Sequence, residues 1–208
     1  YLHCGGTCGS TVDECSWRRY GTRIGLELIY FGMETGDEEL LRLVNKGHDI
    51  YDLYEAILNI NLAGTRDSKI QVSAFVMPGL GGREFRHSHV KWTVDALGSL
   101  KPEFVNLMTV SEQPETPYER MVERGIITPL TPEETALQIA DIIAGMDFET
   151  TIGSFNNSVY LGQDTNPIKF PSVTLDGKVT HLVLADRIRE AVEAGQSEVD
   201  VDNLFPEK

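Results

Sequence analysis

The chain has 208 residues, with 18 basic and 32 acidic side chains and a net charge of −14. This negative balance argues against a general binder of nucleic-acid phosphates and against attraction to anionic membranes, since both need a basic face. No apolar run approaches the roughly 20 residues of a membrane span, and no basic start precedes an apolar core as in a signal peptide. We therefore expect a globular protein of the cytoplasm.

The opening segment, residues 1–23, is irregular and carries Cys4, Cys8 and Cys15. Thiolates at such spacings hold zinc or an iron–sulfur cluster, and free thiols are the alternative interpretation. An odd number of cysteines without a signal peptide is poor evidence for disulfides. The chain begins with Tyr1 rather than Met, so we expect it to be cut from a longer protein.

Residues 24–112 alternate between strand-like and helix-like patterns. The strand-like runs are short, apolar and rich in β-branched and aromatic residues, whereas the helix-like runs have apolar residues at helical spacing. Gly47 is predicted to cap the first helix. The predicted elements are a strand at 26–33, helices at 37–47 and 48–64, a strand at 69–78, a helix ending near Leu100 and a strand at 102–110. This order predicts an α/β fold with parallel strands and helical crossovers, either a barrel or an open sheet.

Residues 113–208 are predicted to form an α+β extension. After a loop with a short helix, Thr131 precedes Pro132 and Glu134, which is the pattern of an N-capped helix. The further predictions are the end of that helix near Met146, a strand-like run at 148–160, a loop with Pro167 and Pro171, and a last helix from about His181 to Ala194.

The C-terminal ends of parallel strands are where such folds bind ligands. Here those ends are predicted at 34–36, 79–84 and 109–112. Glu34 is a candidate to meet a ligand, because Asp37 and the acids that follow it already supply negative charge to the helix start. The alternative is that Glu34 also serves only that structural role.

The stretch MPGLGGRE, residues 77–84, places three glycines within four positions. Gly79, Gly81 and Gly82 allow positive φ angles and close approach of a ligand to the backbone, next to free N–H groups of a helix start. Glu84 is predicted in the first helical turn, where it caps those groups or holds a ligand amine or hydroxyl. The alternative is a strand-to-helix turn that needs glycine geometry.

Two other polar groups have weaker patterns. His87 and His89 point to different sides of a helix at this spacing, so we interpret them as solvated or partly packed rather than as joint metal ligands. The segment 153–163, with Asn156 and Asn157, has good turn chemistry. It is alternatively a pocket lining that selects the substrate.

Four stretches of the chain resemble a known family: LIYFGMETGDEELLRLVNKGH (28–48), KIQVSAFVMPGLGGRE (69–84), FVNLMTVSEQPETPYERMVERGIITPLTPEE (104–134) and SFNNSVYL (154–161). Taken together, they resemble the second half of the core barrel of radical S-adenosylmethionine (SAM) enzymes. The resemblance covers about residues 24–161 and is most specific in the first stretch, where a whole run agrees in order and spacing.

The resemblance implies a partial (β/α) barrel with SAM lying across the C-terminal ends of the strands. It also implies a [4Fe–4S] cluster bound by three cysteines, an electron donor, and cleavage of SAM to a 5′-deoxyadenosyl radical that acts on an unknown, small-molecule or other, substrate. The residues that it assigns to the SAM site are Glu34, Thr35 and Gly36 on the ribose or methionine side, and Gly79, Gly81, Gly82 and Glu84 on the adenosine side.

The chain departs from the family at its cysteines. The family motif is C-x3-C-x2-C; Cys4 and Cys8 fit its first part, but Thr11 stands at the third position and Cys15 comes four residues late. The short distance to the strand at 26–33 leaves no room for the preceding barrel strands. We therefore expect a fragment whose cluster ligands lie outside this chain, with the three cysteines as the alternative ligand set.

Two other classes of function stay open. One is a metal-independent (β/α) enzyme that uses Glu34 and Glu84 as acid and base. The other is a non-catalytic binding module whose cysteines hold zinc. An open half-barrel would also leave an unpaired strand edge, which favours a partner or self-association.

Overall fold

The computed structural model describes residues 2–3, 26–63, 69–154 and 167–201. These residues form one six-stranded sheet and six helices. The strands are β1 (Leu2–His3), β2 (Leu28–Glu34), β3 (Gln71–Val76), β4 (Phe104–Leu107), β5 (Thr150–Ser154) and β6 (Phe170–Leu175). The helices are α1 (Glu38–Leu43), α2 (Ile50–Ala63), α3 (Arg86–Leu100), α4 (Pro117–Glu123), α5 (Pro132–Gly145) and α6 (Lys178–Glu193).

The strands lie in the sheet in the order in which they occur along the chain. β2 to β5 are parallel, and each connection between them contains at least one helix, as parallel neighbours require. β1 and β6 are antiparallel and lie at the two edges. The predicted α/β fold with a partial (β/α) barrel and further α and β elements after it is therefore confirmed, and β5 and β6 extend the same sheet as the earlier strands.

Alternate residues of the strands build the core on the helical side of the sheet. Ile29, Phe31 and Met33 of β2 are buried in one hydrophobic cluster with Val105 and Leu107 of β4. On this side α5 packs against α3 and α6. Nine residues of α5 and α6 contribute to the same cluster, so these helices seal the sheet from water.

The strand residues that point away from the helices line the other side of the sheet. Strand register places Tyr30, Ser73, Phe104 and Thr151 in one row across this side, and Phe75 lies beside Asn106 in the next row. We call the concavity of about 390 Å³ that these six residues help to line the open-face groove. A barrel that closes only partly leaves this inner surface reachable.

Three sequence predictions need correction. The first helix ends at Leu43, and the left-handed conformations that follow it are at Asn45 (φ 52°) and Gly47 (φ 81°), so Gly47 is not the residue that caps α1. The region predicted as a loop around Pro171 contains β6, an edge strand in which proline is tolerated because the missing N–H is not needed. α6 starts at Lys178, earlier than predicted.

The capped start of α5 is confirmed in detail. Thr131 Oγ1 accepts a hydrogen bond from Glu134 N, and the Glu134 carboxylate accepts one from Thr131 N, with Pro132 at the first helical position. Arg83 donates to the same carboxylate, so the cap also ties the glycine stretch to α5. No helix within the described ranges is long and apolar enough to cross a membrane.

Thr131→Ala is expected to lower the free energy of unfolding by about 1 kcal/mol, because the variant leaves the Glu134 N–H without its side-chain acceptor. Urea denaturation followed by circular dichroism measures this loss. Ser99→Ala, in the exposed part of α3, is the matched control and should change stability by less than about 0.5 kcal/mol. Equal stabilities of the two variants would contradict the role of the cap.

Candidate functional site

The ends of β2, β3 and β4 remain hydrogen-bonded side by side after the strands stop. Met77 N donates to Glu34 O at 2.9 Å, and Val110 N donates to Pro78 O at 3.0 Å. Met108 N donates to the carbonyl oxygen of β3's last residue at 2.9 Å. The three loops predicted to meet at this end of the sheet are therefore held at fixed spacing.

Glu34 ends β2 in a strained backbone conformation. Its φ angle is 60°, in the left-handed region that non-glycine residues rarely occupy, and the pairing with β3 is irregular between Gly32 and Glu34. The carboxylate forms a 2.6 Å ion pair with Lys46, in which both side chains are largely buried. A Cβ at Gly32 would overlap the Glu34 carboxylate, so this glycine leaves room for the ion pair. Strain of this kind is concentrated at functional sites.

The turn after Glu34 is fixed to helix α3. Thr35 is fully buried, and its Oγ1 lies 2.7 Å from His89 Nδ1 while it accepts a hydrogen bond from Asp37 N at 3.0 Å. Gly36 N donates to Thr93 Oγ1, and a Cβ at Gly36 would overlap the backbone of α3. Thr35 and Gly36 therefore position the turn through contacts inside the protein.

His89 is completely buried and neutral at physiological pH. Burial lowers its pKa to about 4, because the imidazolium would lose its hydration, while the charge of Asp37 acts in the opposite direction. Its Nε2 is sealed from solvent without a hydrogen-bond partner. The expectation that His89 is solvated or partly packed is thus wrong, whereas His87 is exposed.

Two glycines of the stretch 77–84, Gly81 and Gly82, leave room for close packing contacts. A Cβ at Gly81 would overlap the side chain of Phe85, and one at Gly82, where φ is 57°, would overlap the Thr128 carbonyl oxygen. Arg83 N donates to that same oxygen at 2.9 Å. These two glycines therefore let the loop dock against the segment that leads into α5.

Glu84 lies just before α3 rather than in its first turn, because α3 begins at Arg86. Its carboxylate accepts hydrogen bonds from Thr128 N at 2.8 Å and from Thr128 Oγ1 at 2.7 Å. These bonds, the backbone one first, lower the pKa of Glu84. The ionised carboxylate of Glu84 therefore joins the glycine stretch to the segment that leads into α5.

Gly79 differs from the other glycines because it lines a cavity. Its φ is 86°, its N–H donates to Gln138 Oε1 at 2.7 Å, and it borders a concavity of about 300 Å³. We call this concavity the strand-end pocket; besides Gly79, its walls include Thr109, Val110, Tyr118, Leu130 and Thr135. It lies where the C-terminal ends of β3 and β4 meet the start of α5.

Tyr118 closes one side of the strand-end pocket. Its hydroxyl donates to Gly79 O at 3.4 Å, and burial, together with the charges of Glu112 and Glu84, raises its pKa to about 12. The phenol is therefore protonated and serves as a donor. Glu112, at the exposed rim, is the charged residue among the described pocket walls.

A metal site is not found among the residues that the structure describes, since no group of three His, Cys, Asp or Glu side chains there could hold an ion. Cys4, Cys8 and Cys15 lie outside the described residues, as do Asn156 and Asn157. The predictions made for them therefore stay predictions.

No protein-family model matches the sequence, and the curated proteins contain no match to it. Among solved structures, the chain is similar to Elp3 of the archaeon Methanocaldococcus infernus with its N-terminus deleted. The TM-score is 0.57 at 18% identity over 85% of this chain. The likeness is one of fold. The matched region is 38% of the Elp3 chain, so this chain spans well under half of that protein.

The sequence-predicted site residues separate into two groups. Gly79 lines the strand-end pocket and Glu34 ends β2 in its ion pair with Lys46. The others make internal contacts that position the loops: Thr35, Gly36, Gly81, Gly82 and Glu84. Sequence reasoning missed the partners: Lys46, His89, Thr93, Thr128 and Tyr118. Each partner is 12 to 57 positions away in the chain, and pattern alone carries no signal for such a pairing.

His89 is expected to make stability depend on pH. Since its folded pKa is near 4 and its unfolded pKa near 6.5, the unfolded chain binds more protons between these values, and stability falls as pH drops through this window. His89→Gln should therefore be less stable than the native chain at pH 7, with a gap that shrinks by up to about 3 kcal/mol towards pH 4. Urea denaturation across this pH range measures the gap.

His87→Gln is the control for this prediction, because His87 is exposed on the same helix. It should track the native chain at every pH. A constant gap between native chain and His89→Gln from pH 7 to pH 4 would show that His89 is not held neutral by burial.

Proposed function

We propose that this chain is the adenosyl-binding part of a radical SAM enzyme. The strand-end pocket carries the proposal, because it lies at the C-terminal ends of parallel strands, where a partial (β/α) barrel binds its ligands. The fold likeness to Elp3 and the sequence resemblance over residues 24–161 support the same conclusion. The substrate and the class of radical reaction are outside this proposal.

The walls of the strand-end pocket suit the adenosine part of SAM. Gly79 presents backbone at the pocket, Val110 and Leu130 are apolar, and Thr109 and Thr135 add hydroxyl groups. Such a lining, mostly uncharged with a few polar groups, is typical of sites for small molecules and cofactors. Tyr118 keeps its proton and excludes water from one side.

Glu34 is proposed to face the ribose or methionine part of SAM. Its ion pair with Lys46 holds the carboxylate in place, and the His89–Thr35 contact fixes the turn that carries it. Bound SAM and a [4Fe–4S] cluster would supply one-electron chemistry. The described residues offer no ligand set for the cluster, so we assign it no ligands within them and derive no step through it.

The geometry does not support the alternative function, a metal-independent (β/α) enzyme that uses Glu34 and Glu84 as acid and base. The Glu84 carboxylate is occupied by two hydrogen bonds from Thr128, and its lowered pKa makes it a weak base. Glu34 is engaged with Lys46. The zinc-binding alternative depends on residues outside the described ranges.

Leu130→Trp is expected to weaken SAM binding by about tenfold or more, because the larger ring fills the strand-end pocket. Equilibrium dialysis of the native chain and the variant against radiolabelled SAM measures the change. Leu130→Met, which conserves volume, should bind SAM like the native chain. Circular dichroism and thermal unfolding confirm that both variants are folded.

Two results would overturn the proposed function. One is that the native chain binds no SAM at millimolar concentration. The other is that Leu130→Trp and Leu130→Met bind SAM equally, which would place SAM elsewhere. Competition by S-adenosylhomocysteine but not by free methionine is the result expected if the adenosine part supplies the main contacts.

A further inference from the structure

The open-face groove contains a buried amide–hydroxyl pair in the middle of the sheet. Asn106 of β4 donates through Nδ2 to Ser73 Oγ of β3 at 2.6 Å. Ser73 is 1% exposed and Asn106 is 8% exposed, yet both residues line the groove. Polar side chains at such central positions of a sheet lower stability unless hydrogen bonds compensate their lost hydration.

The side-chain carbonyl oxygen of Asn106 takes no part in the hydrogen bond to Ser73. Within the described structure Asn106 makes one side-chain hydrogen bond, the one to Ser73, and that bond uses its nitrogen. The oxygen is also not among the polar atoms that are sealed without a partner. It therefore stays reachable from the groove and offers an acceptor that Ser73 holds at a fixed orientation.

Aromatic side chains line the same groove as this acceptor. The rings of Tyr30 and Phe75 lie 5.9 Å apart with an interplanar angle of 34°, and Phe104 lines the same groove. Tyr30 is 45% exposed, although it belongs to the second strand of the sheet. Aromatic faces beside one oriented polar atom favour a flat ring that stacks and donates one hydrogen bond.

The described walls of the groove carry no charged side chain. None of the described residues that line it is an Asp, Glu, Lys or Arg, so an ion would lose hydration there without gaining a counter-charge. Its volume of about 390 Å³ is in the range of small-molecule sites. For the described walls, these observations favour a neutral ligand of modest size.

We propose that the open-face groove binds a neutral, planar aromatic or heteroaromatic ring whose N–H donates to the side-chain carbonyl oxygen of Asn106. This site is separate from the strand-end pocket, and its binding does not rest on the proposed use of SAM. Tyr30 and Phe75 contact the face of the ring, and Ser73 positions the Asn106 amide. The specificity of the site comes from the one donor that the ligand must carry.

The test compares quinolin-2(1H)-one with 1-methylquinolin-2-one, two neutral planar probes that differ in the N–H donor. Fluorescence titration of the full chain should give an affinity about 3- to 10-fold higher for the N–H probe, which is the effect of one net hydrogen bond. In Asn106→Leu the two probes should bind with a ratio near one. The bulk of the N-methyl group on the second probe cannot explain the lost preference, because the same two probes are compared in the native chain and in Asn106→Leu.

Two further variants control this comparison. Asn59→Leu, an amide on α2, and Leu130→Trp, which fills the strand-end pocket, should both keep the preference of the native chain. Equal affinities of the two probes for the native chain would overturn the proposal. So would a preference that persists in folded Asn106→Leu, or binding of neither probe. A preference lost in Leu130→Trp would place the probes in the strand-end pocket and would equally overturn it.

Discussion

The contact between Thr35 Oγ1 and His89 Nδ1 joins the end of β2 to the start of α3, and the arrangement of the strand ends depends on it. Both residues are fully buried, so this hydrogen bond, formed away from water, satisfies the Thr35 hydroxyl and one of the two ring nitrogens of His89. The same turn is fastened a second time by the bond from Gly36 N to Thr93 Oγ1. With the turn fixed at two points, Glu34 is held at a positive φ that an unsupported strand end would relax.

From this anchored turn the neighbouring loops follow by backbone hydrogen bonds. Glu34 O accepts a hydrogen bond from Met77 N, and Pro78 O accepts one from Val110 N. The end of β2 therefore fixes the end of β3, which in turn fixes the end of β4. Glu84 and Thr128 then clasp the glycine loop to the segment before α5. The strand-end pocket is what remains between these fixed loops, and the open-face groove lies deeper on the inner surface of the same sheet.

Sequence reasoning succeeded where the cause is local. The alternation of elements predicted the parallel sheet, and Thr131, Pro132 and Glu134 predicted the start of α5, because capping acts within one helical turn. It failed where the cause is a tertiary contact. The pattern at Gly81 and Gly82 predicts a ligand cradle and a packed turn equally well, and it gave no sign of the contacts with Phe85 and Thr128. β6 was missed because its pairing with β5, not its own pattern, makes it a strand.

Hydrogen–deuterium exchange, measured by mass spectrometry with and without SAM, tests the central claim that the ends of β3 and β4 form an adenosyl site. The account predicts slower amide exchange in peptides that cover 77–82 and 108–112 when SAM is present. Peptides from α6, which packs on the far side of the sheet, should not change. Protection confined to α6 or the β6 edge, with unchanged exchange at the strand ends, would contradict the account.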